Sequence, residues 1–248
     1  MSRTLVRLPT FVCGAVVAMW LTGCASPAST SRGAVRHSPL TQDDLVQSDL
    51  NRVATLAMRD NLEGLFLLAD KLYRRNPQQW RKGSAAGAAQ ALAQLRQAVV
   101  QRQAWPALQG QRDIHALALA MSPTFAGDRV AAFIHALADM LIVAHGDRSQ
   151  FFLLDSLDAQ HLYNAARNVE TAVWILAQRR DAQGQPLLHA DVIEASGTRN
   201  LSFEREFGKI VARLDLVAEV MAEKYRRAAI GYVQGLVGAG LLQFLPVR

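Results

Sequence analysis

Cysteine is scarce in this chain of 248 residues, which has 2 of them, at positions 13 and 24. Residues 25–248 therefore contain no thiol. A disulfide, a CxxC redox pair, a cysteine nucleophile and a cysteine-based zinc site all need at least one. None of these can occur in that part of the chain, so its fold must depend on a hydrophobic core.

Glycine, proline and charge are also sparse. The chain has 16 Gly and 8 Pro, too few for a fibrous protein, and 19% of its residues are charged. Lys and Arg number 27 against 21 Asp and Glu, a formal net charge of +6, while 50% of the residues are hydrophobic. This composition is typical of a globular chain and not of a disordered one. Because the basic residues are spread out, we expect no nucleic acid partner.

The common sequence fingerprints of enzymes are missing. The chain has no GxSxG nucleophile elbow, HExxH zinc motif, P-loop or glycine-rich dinucleotide motif. These motifs position nucleophiles, metal ions and phosphates. We therefore expect no cofactor, and a function other than catalysis.

The first 24 residues have the layout of an export signal. Arg3 and Arg7 precede an uncharged apolar run over residues 11–21, which ends at Leu21-Thr22-Gly23-Cys24. The run is shorter than the approximately 20 residues that a membrane helix needs. It therefore predicts a removable signal rather than a membrane span.

The motif Leu21-Thr22-Gly23-Cys24 resembles the lipobox of bacterial lipoproteins. The resemblance implies that residues 1–23 are removed and that acyl chains on Cys24 anchor the protein in a membrane. Ala25 follows where an Asp favours inner-membrane retention in lipoproteins of enterobacterial type, which implies the outer membrane of a Gram-negative bacterium. The alternative is an ordinary signal peptide in which Cys24 has no role.

Residues 24–40 form the lipidated cysteine and a tether. Residues 25–39 read ASPASTSRGAVRHSP, with Val35 as the single large apolar residue. Such a linker spans roughly 20 Å. The folded domain, residues 41–248, would therefore lie close to the membrane surface.

Apolar residues recur at helical spacing through most of residues 41–248, which predicts an all-α bundle of about seven or eight helices. Thr41 and Asp44 give a capping-box-like start, and Asp60 and Glu63 repeat it, so the first region is either two helices or one. The fifth helix is apolar on nearly every side, which predicts the buried centre. Residues 187–193 allow a short strand, although we favour a loop. The later helices are predicted at about 86–102, 113–121, 128–145, 158–179 and from Ser202 onward.

Residues 228–245 form an uncharged C-terminal run that follows a basic cluster. Gly231 and Gly235 have the GxxxG spacing that permits close contact between helices. One interpretation is a buried C-terminal helix whose glycines let it approach its neighbours. The other is a helix that inserts into a membrane or lies at its surface.

Two pairs of residues could carry chemistry. His135 and Asp139 are four residues apart in the apolar fifth helix, so they share a face and could form a general base or a metal site. An internal polar contact between them is the alternative. Asp158 and His161 have the i, i+3 spacing of carboxylate-bridged metal sites, but no second copy is present, and Asp158 could instead cap the sixth helix.

Glu170 interrupts the apolar side of the sixth helix near Arg167 and Trp174, where it could border a groove or belong to a solvated face. Taken together, the sequence predicts a lipid-anchored protein with a binding or scaffolding role at the periplasmic face of the outer membrane, with an envelope protein as partner. Two alternatives stay open. They are an envelope enzyme that uses the buried His and Asp residues, and a membrane-active component that uses residues 228–245.

Overall fold

The computed structural model describes residues 47–152, 155–190 and 201–242, with side chains up to Gly235. These residues form seven α-helices and one short 3-10 helix at Pro106–Leu108, with no β-strand among them. The predicted all-α bundle is thus confirmed. The helices are α1 (Asp49–Arg75), α2 (Pro77–Trp80), α3 (Ala88–Val100), α4 (Asp113–Ala120), α5 (Arg129–Ala144), α6 (Ala159–Gln178) and α7 (Ser202–Leu242).

The first region is one helix. α1 begins after Ser48, whose hydroxyl accepts a hydrogen bond from the Asn51 N–H at 3.3 Å. The second start signal, at Asp60 and Glu63, lies inside this helix, where its acidic side chains are tolerated as partly exposed groups. The other start signal, at residues 41–44, lies outside the described residues.

Helix α5 is the centre of the bundle, as its apolar composition predicted. Of its 16 residues, 13 are buried, and α1, α3, α4 and α6 all pack against it. Asp128 caps its first turn by accepting a hydrogen bond from the Ala131 N–H at 3.0 Å. The polar side chains that α5 carries are therefore held at defined depths within the core.

The start of α5 contains a buried polar cluster that the sequence analysis missed. Arg129 is 4% exposed and donates to the carbonyl oxygens of Ala120, Ser122 and Phe125 at 2.6, 2.7 and 3.1 Å. The Tyr73 hydroxyl of α1 donates to a carboxylate oxygen of Asp128 at 2.7 Å. Burial raises the pKa of Asp128 and lowers that of Arg129.

Helix α7 is a single helix of 41 residues, so the C-terminal run is not a separate element over the described residues. Its first half buries one face against α1 and α6. That face is formed by Phe203, Phe207, Ile210, Leu214, Val217 and Met221, the residues that the sequence predicted.

The second half of α7 leaves the bundle. All residues from 226 to 235 are exposed, and nothing lies within 4 Å of a Cβ placed on Gly231 or Gly235. The interpretation as a buried C-terminal helix is therefore wrong for residues 228–235, because no element of the described part of the chain covers them. Over the described residues, no helix combines the length and apolar character needed to cross a bilayer.

A non-helical segment at residues 187–190 covers the end of α1. Leu188 and Ala190 are buried, and the segment contains no strand, in agreement with the predicted loop. The side chain of Asn76, which is fully buried, donates to the His189 carbonyl oxygen at 3.0 Å and accepts from the His189 N–H at 2.8 Å. Residues 191–193 of the predicted loop lie outside the described residues.

Candidate functional site

A cavity of about 270 Å³ lies between the end of α3, the connection to α4 and the middle of α5. We call it the α3–α5 cleft. It brings together polar, aromatic and charged side chains over an apolar floor. Its lining residues are Ala98, Val99, Arg102, Gln103, Ala104, Trp105, Gly110, Gln111, Arg112, His135, Asp139 and Ile142.

The loops that border the cleft have an unusual backbone. Among the described residues, the non-glycine residues with positive φ are Arg102, Gln109, Asp113 and Asp147, with φ between 52° and 61°. Arg102 lines the cleft itself, and Gln109 and Asp113 are each next in sequence to a lining residue. The side chain of Asp147 bonds Arg102 and Arg112 of the cleft. Left-handed backbone is costly for residues with a Cβ and concentrates at functional sites.

His135 projects from α5 into the wall of the cleft. It is 9% exposed, and its Nε2–H donates to the Gln103 carbonyl oxygen at 2.9 Å. Because a carbonyl oxygen only accepts, this contact assigns the hydrogen to Nε2 and leaves Nδ1 as an acceptor. Nδ1 is buried without a hydrogen-bond partner. Burial lowers the pKa of His135, which keeps the ring neutral at pH 7.

Asp139 lies on the same face of α5, but it does not orient His135. Its oxygens accept hydrogen bonds from the Arg112 guanidinium, at 2.8 Å for the closest contact, and from the Asp113 N–H at 3.2 Å. Nδ1 of His135 has no partner, so the two side chains form no His–Asp dyad. The predicted pair shares the cleft, whereas the predicted contact between its members is absent.

Two arginines and Asp147 divide the cleft from its neighbour. Asp147 accepts from Arg102 at 2.6 Å and from Arg112 at 3.2 Å, and these contacts lower the pKa of Asp147. Arg102 also lines a second cavity, of about 460 Å³, and Asp147 is among the residues that line it. The ion pair between Arg102 and Asp147 therefore lies along the border of two adjacent cavities.

Neither arginine was among the site residues that the sequence predicted. Arg102 and Arg112 lie at the two ends of the α3–α4 connection, outside any amphipathic pattern. They meet Asp147, which follows the α5 terminus, through the left-handed turns described above. The signal that could have suggested them is the density of Gln, Gly and Arg at residues 101–112.

Asp158 and His161 lie at the start of α6. The Asp158 carboxylate caps α6 by accepting from the Gln160 and His161 N–H groups at 2.7 and 3.2 Å, which lower its pKa. Among the residues that the structure describes, no cluster of three or more His, Cys, Asp or Glu side chains could hold a metal ion. The capping role predicted as the alternative for Asp158 is the one observed.

Glu170 and Trp174 border a groove between α6 and α7. Arg167 bonds Asp215 of α7 at 2.6 Å and Glu170 at 3.3 Å, which ties the two helices together. Trp174 is 64% exposed at the edge of this groove. The junction of α6 and α7 thus carries Arg167, Glu170 and Trp174, which do not surround a closed site.

Comparison of the chain with protein-family models found no match, and comparisons with curated proteins and with solved structures found none either.

Proposed function

We propose that this chain is a lipid-anchored binding protein at the periplasmic face of the outer membrane, and that its ligand occupies the α3–α5 cleft. The observation that carries the proposal is His135. Its Nδ1 is a buried acceptor without a partner, in a ring whose other nitrogen is fixed by the Gln103 carbonyl. An unsatisfied buried polar group is costly unless something bonds to it, and a ligand whose hydrogen-bond donor reaches Nδ1 from the cavity removes that cost.

The chemistry of the walls narrows the ligand class. Arg102 and Arg112 converge on one carboxylate oxygen of Asp147, which comes from an exposed loop position. A carboxylate on a ligand would find the same two guanidinium groups. Trp105, whose ring lies 5.7 Å from that of His135, supplies a flat apolar surface. We infer a small carboxylate that also carries an N–H or O–H donor.

Binding is favoured over catalysis by what surrounds His135. The described residues that line the cleft include no serine, cysteine, threonine or lysine as a nucleophile. The carboxylate that could orient the ring, Asp139, bonds Arg112 and the Asp113 N–H instead. General base catalysis also requires a proton to be taken beside the free nitrogen, and the described lining of the cleft offers no hydroxyl or thiol to supply one.

The membrane attachment is supported by sequence. The lipobox-like motif that ends at Cys24, and the short apolar run before it, support lipidation, and Cys24 lies outside the described residues. An envelope protein that carries the carboxylate at a chain end would also satisfy the cleft. Intact-mass measurement of the membrane-extracted protein tests the anchor: a mass matching an unmodified N-terminus would rule it out.

The ligand class is tested by NMR of the His135 ring nitrogens during titration with N-acetylglycine, which has both a carboxylate and an amide N–H. We expect a saturable shift of the Nδ1 signal. N-acetylglycinamide, which lacks the charge, should bind at least about tenfold more weakly, equivalent to a loss of about 1.4 kcal/mol.

Two variants complete this titration. Arg112→Gln should weaken binding of N-acetylglycine, and Arg74→Gln, on the exposed end of α1, should leave it unchanged. Equal binding of the acid and the amide, or no saturable shift with either, would overturn the carboxylate class. A protonated Nδ1 with a bare Nε2 would contradict the assignment of His135 as the acceptor.

A further inference from the structure

We propose that the second half of α7 is a lipid-binding element that lies in the headgroup region of an anionic bilayer. The inference is independent of the α3–α5 cleft, because it rests on residues 223–235 of the last helix. It also does not require a lipid on Cys24.

The surroundings of α7 change along its length, from the bundle to solvent. Up to Gly235, the last buried residue of the helix is Met221. The Tyr225 hydroxyl donates to the Leu157 carbonyl oxygen at 3.2 Å, at the edge of the bundle. Residues 226–235, which make up nearly three helical turns, are all exposed. Every face of the helix is thus uncovered over this segment, which we call the exposed segment.

The composition of α7 from Ala228 onward is mostly apolar. From Ala228 onward the described helix has no charged residue, and Gln234 is the only polar amide within the exposed segment. Ile230, Tyr232 and Val233 are 40%, 70% and 58% exposed. A helix that is apolar on all sides is normally surrounded by core or by lipid. Its glycines also weaken it in water, so an apolar environment is what stabilises it.

A cluster of basic residues lies on α7 where the helix leaves the bundle. Lys224, Arg226 and Arg227 provide three positive charges against the single negative charge of Glu223, which bonds both arginines. Each basic residue near an anionic surface contributes about 1 kcal/mol of attraction. The order along the helix is therefore bundle, basic band, apolar segment, which is the order of layers from water into a membrane.

These features favour a bilayer over a protein groove. A groove covers one face of a helix, whereas residues 228–235 are exposed and uncharged on every face. Because no described helix is long and apolar enough to span a bilayer, we place the segment in the interfacial region of one leaflet. Tyr232 suits this depth, since its ring is apolar and its hydroxyl polar.

The test uses the chain with Cys24→Ser, exported by an ordinary cleavable signal so that no lipid is attached. We expect it to float with vesicles that contain phosphatidylglycerol and not with vesicles of phosphatidylcholine alone. Ile230→Asn with Val233→Asn should reduce flotation by about tenfold or more, because two apolar anchors become polar. Arg226→Gln with Arg227→Gln should reduce it several-fold, and added salt should mimic that variant.

The matched control is Val53→Asn with Leu67→Asn, two exposed apolar residues of α1 that are 43% and 44% exposed. Flotation of this control should equal that of the parent, and the melting temperature of the Ile230 and Val233 variant should be unchanged. As a second readout, Val233→Cys labelled with an environment-sensitive dye should shift to the blue on vesicles.

Three outcomes would overturn the proposal: no flotation with anionic vesicles, equal flotation with neutral ones, or equal loss with the control pair. A stable dimer in solution that Gly231→Leu with Gly235→Leu dissociates, without vesicle binding, would instead assign the segment to a second copy of the chain. Failure here leaves the ligand titration of the cleft unaffected.

Discussion

Helix α5 carries buried polar groups in two places, and the two are built differently. At its start, both terminal nitrogens of the Arg129 guanidinium donate to carbonyl oxygens, and Asp128 accepts from the Tyr73 hydroxyl and from the Ala131 N–H. Two turns later, His135 has one nitrogen bonded and one without a partner, beside a cavity.

The difference separates a structural cluster from a candidate site. A fully bonded buried cluster has no capacity for another molecule, and removing one member leaves the others unsatisfied. A partly bonded group beside a cavity carries an unfavourable term that a ligand can remove. We therefore expect substitutions at the start of α5 to reduce stability, and substitutions around His135 to change binding more than stability.

The largest effect is expected for Arg129→Met. The substitution keeps much of the buried volume but removes the donors to the carbonyl oxygens of Ala120, Ser122 and Phe125. We expect the free energy of unfolding to fall by about 3 kcal/mol or more, because several buried acceptors lose their partners at once. Urea denaturation followed by circular dichroism measures this change.

The control for that variant is Arg74→Met, at a guanidinium whose side chain is 75% exposed and pairs with Asp70. Its cost should be at most about 1 kcal/mol, as for other surface ion pairs. Equal costs for the two variants would contradict the structural role assigned to Arg129.

An intermediate effect is expected from pH. Burial lowers the pKa of both His135 and His145, so the unfolded chain binds protons more readily than the folded one. The stability linked to these residues is complete above the unfolded pKa of about 6.5 and is lost as pH falls through the lower folded value. The raised pKa of Asp128 acts with the opposite sign, because the folded chain then binds a proton at this carboxyl more readily than the unfolded one.

This predicts a melting temperature that falls between pH 7.5 and 5.5. His145, which is 1% exposed and bonds the Leu141 carbonyl oxygen through Nδ1, is the more deeply buried of the two histidines. His145→Gln should therefore flatten the pH dependence even if it lowers stability at pH 7.5. An unchanged slope in this variant would show that His145 is not the group that titrates.

The smallest effect on stability, with the clearest effect on binding, is expected for Asp147→Asn. The Asp147 side chain is 59% exposed, so loss of its ion pairs with Arg102 and Arg112 should change the free energy of unfolding by less than about 1 kcal/mol. The two guanidinium groups would lose a competing carboxylate. Calorimetry should then show N-acetylglycine binding several-fold tighter than to the parent, and weaker binding would contradict the shared-site interpretation.

The sequence was sufficient for the longer helices and for the shared face of His135 and Asp139 on α5, but it did not predict α2 or the 3-10 helix at Pro106–Leu108. Apolar spacing reports which side of a helix is buried, so the core face of α7 and the central position of α5 followed directly. The sequence did not show whether Asp60 begins a new helix. An acidic residue on the exposed side of a helix gives the same sequence pattern as an acidic residue in the first turn of one.

The walls of the α3–α5 cleft were beyond sequence reasoning for a related reason. The contact between His135 and Gln103 depends on the path of a loop, and that path is set by left-handed backbone at Arg102 and Gln109. Neither residue type signals such a conformation, as glycine or asparagine would. The sequence likewise suggested Asp139 as the partner of His135, because nothing in the helical spacing indicates that Arg112 bonds this carboxylate instead.

The buried side-chain amide of Asn76 makes the two backbone hydrogen bonds of His189 that a neighbouring β-strand could otherwise make. Through its oxygen and nitrogen it bonds the N–H and C=O of His189, the same two groups that a neighbouring strand would bond in a sheet. A non-helical segment with unpaired backbone is a template for pairing with other molecules and thus for aggregation. At His189 that pairing capacity is already used by one side chain from 113 residues earlier, so an all-helical protein avoids an open edge there without building a sheet.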